Sequence, residues 1–247
     1  MKRNILSLLC AACALLTLPS CRFITISDEL KQQMQGHGFD VIVESNGEQI
    51  DASDNFITQD DVTGEFHNMQ ISVPGDVLYT PGDCSFNITA PDNVLDHITI
   101  RNENGTLVVK SDGTNFRNLR NLKINVSSPV LENVTFNGAV DFNAPEGITA
   151  LDFDATVNGA GDISINGLKA GKVKVTVNGA GDATIYRIDC DDFTLAINGA
   201  GDATVSGRAG TADLSISGAG DIDALDLKAD NMSSKVRGIG KIRKPRS

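Results

Sequence analysis

Four aspartates recur at almost constant spacing: Asp162, Asp182, Asp202 and Asp221, separated by 20, 20 and 19 residues. Carboxylates repeated in this way could do three kinds of chemistry. Two of them facing one another across a groove could serve as acid and base on a glycosidic bond, given Arg or Lys beside them. A row of them could hold divalent cations, as stacked Gly-Asp motifs do in other solenoids, but the nonapeptide period of those calcium sites is missing here. Each could instead accept hydrogen bonds from the backbone N–H groups of its own turn and stay in water, as aspartate does in Asx motifs. We expect the third arrangement. Like charges ~5 Å apart repel by roughly 1 kcal/mol in water, and Lys172, Lys174, Arg187 and Arg208 are scattered rather than gathered beside the acids. No catalytic residue, metal ligand or cofactor is therefore assigned. A cation stripe or sugar-binding edge along Asp162, Asp182, Asp202 and Asp221 stands as the alternative.

Other reactive residues are few. The three histidines, His37, His67 and His97, are 30 residues apart and lack metal-ligand spacing. There is no nucleophile elbow and no phosphate-binding loop. Cys10 and Cys13 fall in an apolar leader, where a redox role has no meaning, and Cys21 follows Leu18-Pro19-Ser20. That leaves Cys84 and Cys190, and two cysteines do not make a disulfide framework. Asp189-Cys190-Asp191-Asp192 reads as a solvated turn, with a cation site as its alternative.

The elements that position the aspartates are repeats. Each acid closes a glycine-bearing pentapeptide: Asn158-Gly159-Ala160-Gly161-Asp162, Asn178-Gly179-Ala180-Gly181-Asp182, Asn198-Gly199-Ala200-Gly201-Asp202, and Ser217-Gly218-Ala219-Gly220-Asp221. An imperfect copy, Asn137-Gly138-Ala139-Val140-Asp141, precedes them, and a degraded one, Arg237-Gly238-Ile239-Gly240-Lys241, ends the series. A fixed period near 20 marks a solenoid, in which each repeat packs on its neighbours. Alternating runs such as Val173, Val175, Val177 and Phe193, Leu195, Ile197 mean strands with one buried face. This much Gly with β-branched residues opposes helix, and a propeller blade needs about 40 residues. The expected fold is all-β, a parallel β-helix with ~20-residue coils. Three columns should run through its core: Phe153, Val173, Phe193, Ala212, Met232; Ala155, Val175, Leu195, Leu214, Ser234; and Val157, Val177, Ile197, Ile216, Val236. The pentapeptide is the corner, where glycines permit positive φ and only Ala should fit between them. Asn158, Asn178 and Asn198 should stack as a ladder of bonded amides.

Around this core, residues 1–20 read as an export signal, with Lys2 and Arg3 ahead of an apolar run too short to span a bilayer. Leu18-Pro19-Ser20-Cys21 resembles the lipobox of bacterial lipoproteins, which implies that Cys21 is lipidated; an ordinary secretory signal is the alternative. Residues 21–59 read as a tether with N-terminal strands, and Ser27 could cap a short helix through Met34. Residues 60–117 should form a strand-rich cap, with a hairpin at Asn104-Gly105. The coils should follow over 118–243, then a basic tail at 244–247. Arg237, Lys241 and Pro245 suit an end that resists added strands. Net charge −11 argues against nucleic acid or an anionic membrane surface as partner.

Phe66 to Ile71, Pro74-Gly75-Asp76-Val77-Leu78-Tyr79, Pro81-Gly82-Asp83, Ala90-Pro91-Asp92-Asn93-Val94-Leu95 and Asn104-Gly105-Thr106-Leu107-Val108-Val109, together with the Gly-Ala-Gly-Asp corners and Gly238-Ile239-Gly240-Lys241, resemble the head GIN domain family, labelled putative auto-transporter adhesin, over roughly residues 60–243. The resemblance implies a right-handed parallel β-helix on exported, often lipidated proteins of Gram-negative bacteria. The function expected from this is a non-catalytic module, lipid-anchored in the cell envelope at the outer membrane or cell surface, binding a glycan or protein. A polysaccharide-active lyase or hydrolase and an envelope assembly protein, including side-by-side homo-oligomers, are the alternatives.

Overall fold

A computed structural model describes residues 49–61 and 64–245. The leader, Cys21, His37, the Ser27–Met34 helix and the end of the basic tail lie outside the described residues. The protein is nearly all β, with 73% strand and 2% helix, and its stacked coils form a solenoid of about 6 turns.

The stacking follows from the repeat. Asp152–Ala160 pairs in parallel with Lys172–Ala180, so that Phe153 faces Val173, Asn158 faces Asn178 and Gly159 faces Gly179. The same register continues through Val173↔Phe193, Phe193↔Ala212 and Ala212↔Met232. The strand Ala183–Ala200 turns through a coil within one run, and Ala203–Ala219 and Ile222–Ile239 do the same. Inward positions of the first four coils in each column are buried: Phe153, Val175, Ile197 and Leu214 are all 2% exposed or less. The strands after each corner contribute Ile163, Ala183, Ala203 and Ile222, with Leu168, Ile188 and Leu227 beyond them. The core columns do not extend to the last coil as expected. Met232 is only half-buried, Ser234 is exposed and Val236 is 40% exposed. The described strand beyond this coil, Ile242–Arg243, pairs with Ile222 and Asp223 and does not close over them.

The parallel stack reaches further towards the N-terminus than residue 118, and it does so out of chain order. Asn68–Ser72 pairs in parallel with Asn133–Phe136 on one side and with Thr106–Ser111 on the other. Gly75–Pro81 lies likewise between Val140–Asn143 and Lys123–Ser128. Residues 68–81 thus form a coil between two coils that follow them in sequence. The reason is visible in the side chains: Met69, Ile71 and Val73, then Val77 and Tyr79, are buried and continue the core columns. Pro74-Gly75-Asp76 is their corner, with Asp76 opposite Asp141.

Antiparallel strands end the ladder beyond that coil. Ser85–Pro91 runs antiparallel to Lys123–Ser128, and Phe56–Asp61 lies outermost on Ser85–Pro91. Ile98–Glu103 and Thr106–Ser111 form the expected hairpin, with Asn104 and Gly105 at φ 54° and 80°. Both central residues at positive φ is what a two-residue turn matched to strand twist requires.

Candidate functional site

The glycine corner is a set of backbone ladders running along the axis. Asn158 Nδ2 donates to Asn137 Oδ1 at 3.1 Å, Asn178 Nδ2 to Asn158 Oδ1 at 2.9 Å, and Asn198 Nδ2 to Asn178 Oδ1 at 2.9 Å. Below them, Asn137 Nδ2 donates to Ser72 Oγ at 3.0 Å, so the ladder reaches the out-of-order coil. Each amide satisfies the next while its other face stays in water.

The aspartates do something other than expected. Each carboxylate accepts from the neighbouring coil, not from its own turn. Asp182 N–H donates to Asp162 Oδ1 at 2.8 Å, Asp202 N–H to Asp182 Oδ1 at 2.7 Å, and Asp221 N–H to Asp202 Oδ1 at 2.7 Å. Asp141 starts the series and Lys241 N–H completes it on Asp221 Oδ1 at 2.9 Å. The cause is the close approach of the glycines. The carbonyl of Gly161 lies 2.0 Å from where a Cβ of Gly181 would sit. That carbonyl is turned against the Cα above it, so the next N–H needs another acceptor and takes the carboxylate oxygen. The chain of N–H dipoles also offsets the repulsion between stacked acids. At the last step Lys241 Nζ and Arg243 approach Asp221 Oδ2 at 3.7 and 3.9 Å. No group of three or more His, Cys, Asp or Glu among the described residues is arranged to hold a metal ion.

The corner alanines are a second correction. Ala160, Ala180, Ala200 and Ala219 point to solvent, and Ile239 occupies the same register at 81% exposure. Crowding confines the two glycines, not the residue between them.

Because the acid ladder is structural, the side-chain oxygen matters more than the charge. Asp182→Asn should keep the stability of the parent, since an amide oxygen still accepts the Asp202 N–H. Asp182→Ala should lose about 1 kcal/mol, the usual net worth of one such bond. Urea unfolding of the two variants compares them directly.

A groove follows the opposite edge. Two adjoining cavities of about 490 and 770 Å³ share Leu151, which is 78% exposed. The first is lined by Glu132, Asp152, Asp154, Lys172 and Lys174, among others. Asp154 Oδ2 is 3.4 Å from Lys174 Nζ, and Asp152 Oδ1 accepts the Lys172 N–H at 3.0 Å. The second is lined by a register column of mixed charge, Lys169, Asp189, Arg208 and Lys228, in which one acid stands among three cations. The acids of the expected solvated turn, Asp189, Asp191 and Asp192, are exposed around a buried Cys190. Burial, and then the neighbouring Asp191, Asp189 and Asp192, push the Cys190 thiol up to about 11. It should therefore stay protonated and resist iodoacetamide at pH 8 in the folded protein, reacting only after denaturation; intact mass before and after urea measures this. Cys84 and Cys190 are both free thiols.

Sequence reasoning missed a second column of special backbone. Gly147 and Gly167, at φ of 86° and 116°, lead to Arg187 at φ 50°, while Gly207, at φ 130°, faces Ile188 one place further on. The spacing was available in the sequence, but the arginine broke the glycine pattern. Arg187 Nη2 donates to Asn166 O at 2.5 Å, beside the exposed Tyr186. The pairing shifts register between Ile185 and Ile188, which is a bulge. Of the histidines, His67 is exposed, and His97 Nδ1 lies 3.0 Å from Asp112 Oδ2 and 3.1 Å from Thr114 Oγ1. Hydrogen bonds from Thr114, then His97, hold the Asp112 carboxyl down at about 2.

Comparisons with known proteins place this geometry. A crystal structure from Bacteroides fragilis, described as a "putative adhesin", shares 23% identity and a TM-score of 0.64, covering 79% of this chain and 99% of its own. One from Parabacteroides distasonis, described as a "Putative lipid binding protein", shares 17% identity at TM-score 0.69, covering 81% and 100%. A "putative adhesin" from Parabacteroides merdae shares 16% at TM-score 0.51, covering 81% and 100%. These likenesses establish the fold. Comparison with curated proteins finds no match. A family model matches twice, over residues 65–186 and 155–244. Those residues hold both the out-of-order coil at 68–81 and every glycine corner, so the chain belongs to the family described as "Putative auto-transporter adhesin, head GIN domain".

Proposed function

We propose that this protein is an exported binding rod, tethered through lipid on Cys21, that holds a glycan or protein at the bacterial surface without catalysing a reaction. The observation that carries this reading is the groove around Leu151. It runs along a regular stack of coils, it carries charges of both signs, and it exposes one large apolar side chain at 78%. An apolar anchor with polar groups converging on it is the usual make-up of a recognition site. The family and the adhesin-like folds support the surface setting. No helix among the described residues is long and apolar enough to cross a membrane.

Two measurements test the parts separately. Mass spectrometry of the membrane fraction should find acyl chains on Cys21, and Cys21→Ser should release the protein; an unmodified N-terminus would remove the anchor. The Cys21→Ser chain should bind members of a glycan and envelope-protein array, with Leu151→Asp losing at least tenfold in affinity. A blank array, or binding indifferent to Leu151→Asp, would overturn the assignment of the groove.

A further inference from the structure

The two ends of the solenoid differ in sign of charge. Residues 49–65 carry Asp51, Asp54, Asp60, Asp61 and Glu65 and no Lys or Arg. Residues 235–244 carry Lys235, Arg237, Lys241, Arg243 and Lys244 and no acid. The two segments lie at opposite limits of the strand order: Phe56–Asp61 is outermost at one end, and Ile222–Ile239 with Ile242–Arg243 at the other.

Among the described residues both limits are open sheet edges, and both expose apolar side chains. Phe56 and Ile57 are 41% and 44% exposed at the acidic end; Val236 and Ile239 are 40% and 81% exposed at the basic end. Lys241 and Arg243 are partly neutralised by Asp221 and Asp223 of the coil beneath. Lys235 and Arg237 have no acidic partner among the described residues, and neither do Asp54, Asp60 and Asp61 at the other end.

Charge on an edge strand ordinarily repels added strands. That holds here for two like ends: basic meets basic, or acidic meets acidic. It does not hold for unlike ends. We infer that the basic last coil is a docking surface for the acidic first edge of a second copy of this chain, joining rods head to tail. Complementary potentials set the orientation and bring the ends together; the exposed Val236 and Ile239 meet Phe56 and Ile57 once water is excluded. Such a contact is heterologous and leaves one end of each kind unused, so it builds open chains of rods rather than a closed dimer.

Sedimentation velocity of the full chain carrying Cys21→Ser tests this without acyl chains. Association should rise with concentration at 20 mM salt and weaken at least tenfold at 500 mM, where screening shortens the reach of charge to a few ångström (about 10 Å at 0.1 M). Lys235→Glu with Arg237→Glu takes residues 235–244 from +5 to +1 and leaves the acidic end intact, and Asp60→Lys with Asp61→Lys takes residues 49–65 from −5 to −1 and leaves the basic end intact. Each double variant alone should be monomeric, and an equimolar mixture should associate again. Circular dichroism checks that both variants stay folded, and the regained association shows that their surfaces remain intact. A parent that is monomeric throughout, a parent whose association ignores these charges, or a mixture that stays monomeric would each overturn the inference.

Discussion

Gly199→Ala is expected to destroy the coil stack around it. Its Cβ would sit 2.0 Å from the Gly179 carbonyl oxygen and 2.9 Å from the carbonyl carbon, at a φ of +142°. Those neighbours are backbone and belong to a strand paired on both sides, so they cannot step aside without breaking the ladder. The loss should exceed about 4 kcal/mol, the range reached only when a native backbone cannot hold its shape. Gly138→Ala is the control. It also has positive φ, +108°, but nothing lies within 4 Å of its Cβ. It should lose only the conformational cost, ~1–3 kcal/mol. Urea midpoints separate the two. Equal shifts would mean that close approach between coils is not what the glycines serve.

Phe136→Ala is expected to cost ~3–5 kcal/mol, as for a large buried ring whose site collapses poorly. Phe136 is fully buried, its ring centroid lies 5.1 Å from that of Phe142, and its register partner is Ile71. Phe142 in turn stands opposite Val77, with Tyr79 at 6.5 Å. The damage should therefore cross to residues 68–81, whose register partners stand 65 residues away in the chain. Hydrogen exchange should quicken in 68–81 and 133–144 together. Exchange confined to 133–144 would contradict the out-of-order stacking. Leu225→Ala, at a side chain 51% exposed, should change stability by less than about 0.5 kcal/mol.

The repeat was legible because parallel stacking puts the same demands on each coil. A corner with no room for Cβ selects glycine, and an inward position selects Val, Ile, Leu or Phe. Both demands return after the ~20 residues needed to go once around, so Asn158, Asn178 and Asn198 could be placed over one another before any coordinates. The coil at 68–81 was less legible. It meets the same geometry with Pro74-Gly75-Asp76, and nothing in its own alternation says that its neighbours are 106–128 and 133–144. Adjacency in space is then a matter of which columns close over which, not of chain order.

The chemistry divided along the same line. Local sequence identified the four aspartates and the amide ladder, because each depends on residue type at a fixed phase of the repeat. The partner of each carboxylate depends instead on where the carbonyl one coil away is turned. That direction is settled by glycine contacts between coils, so the bond to the next Asp N–H could be read only from the stacked structure. The groove at Leu151, and the gathering of acids at one end and cations at the other, likewise required the coils to be set in order along an axis.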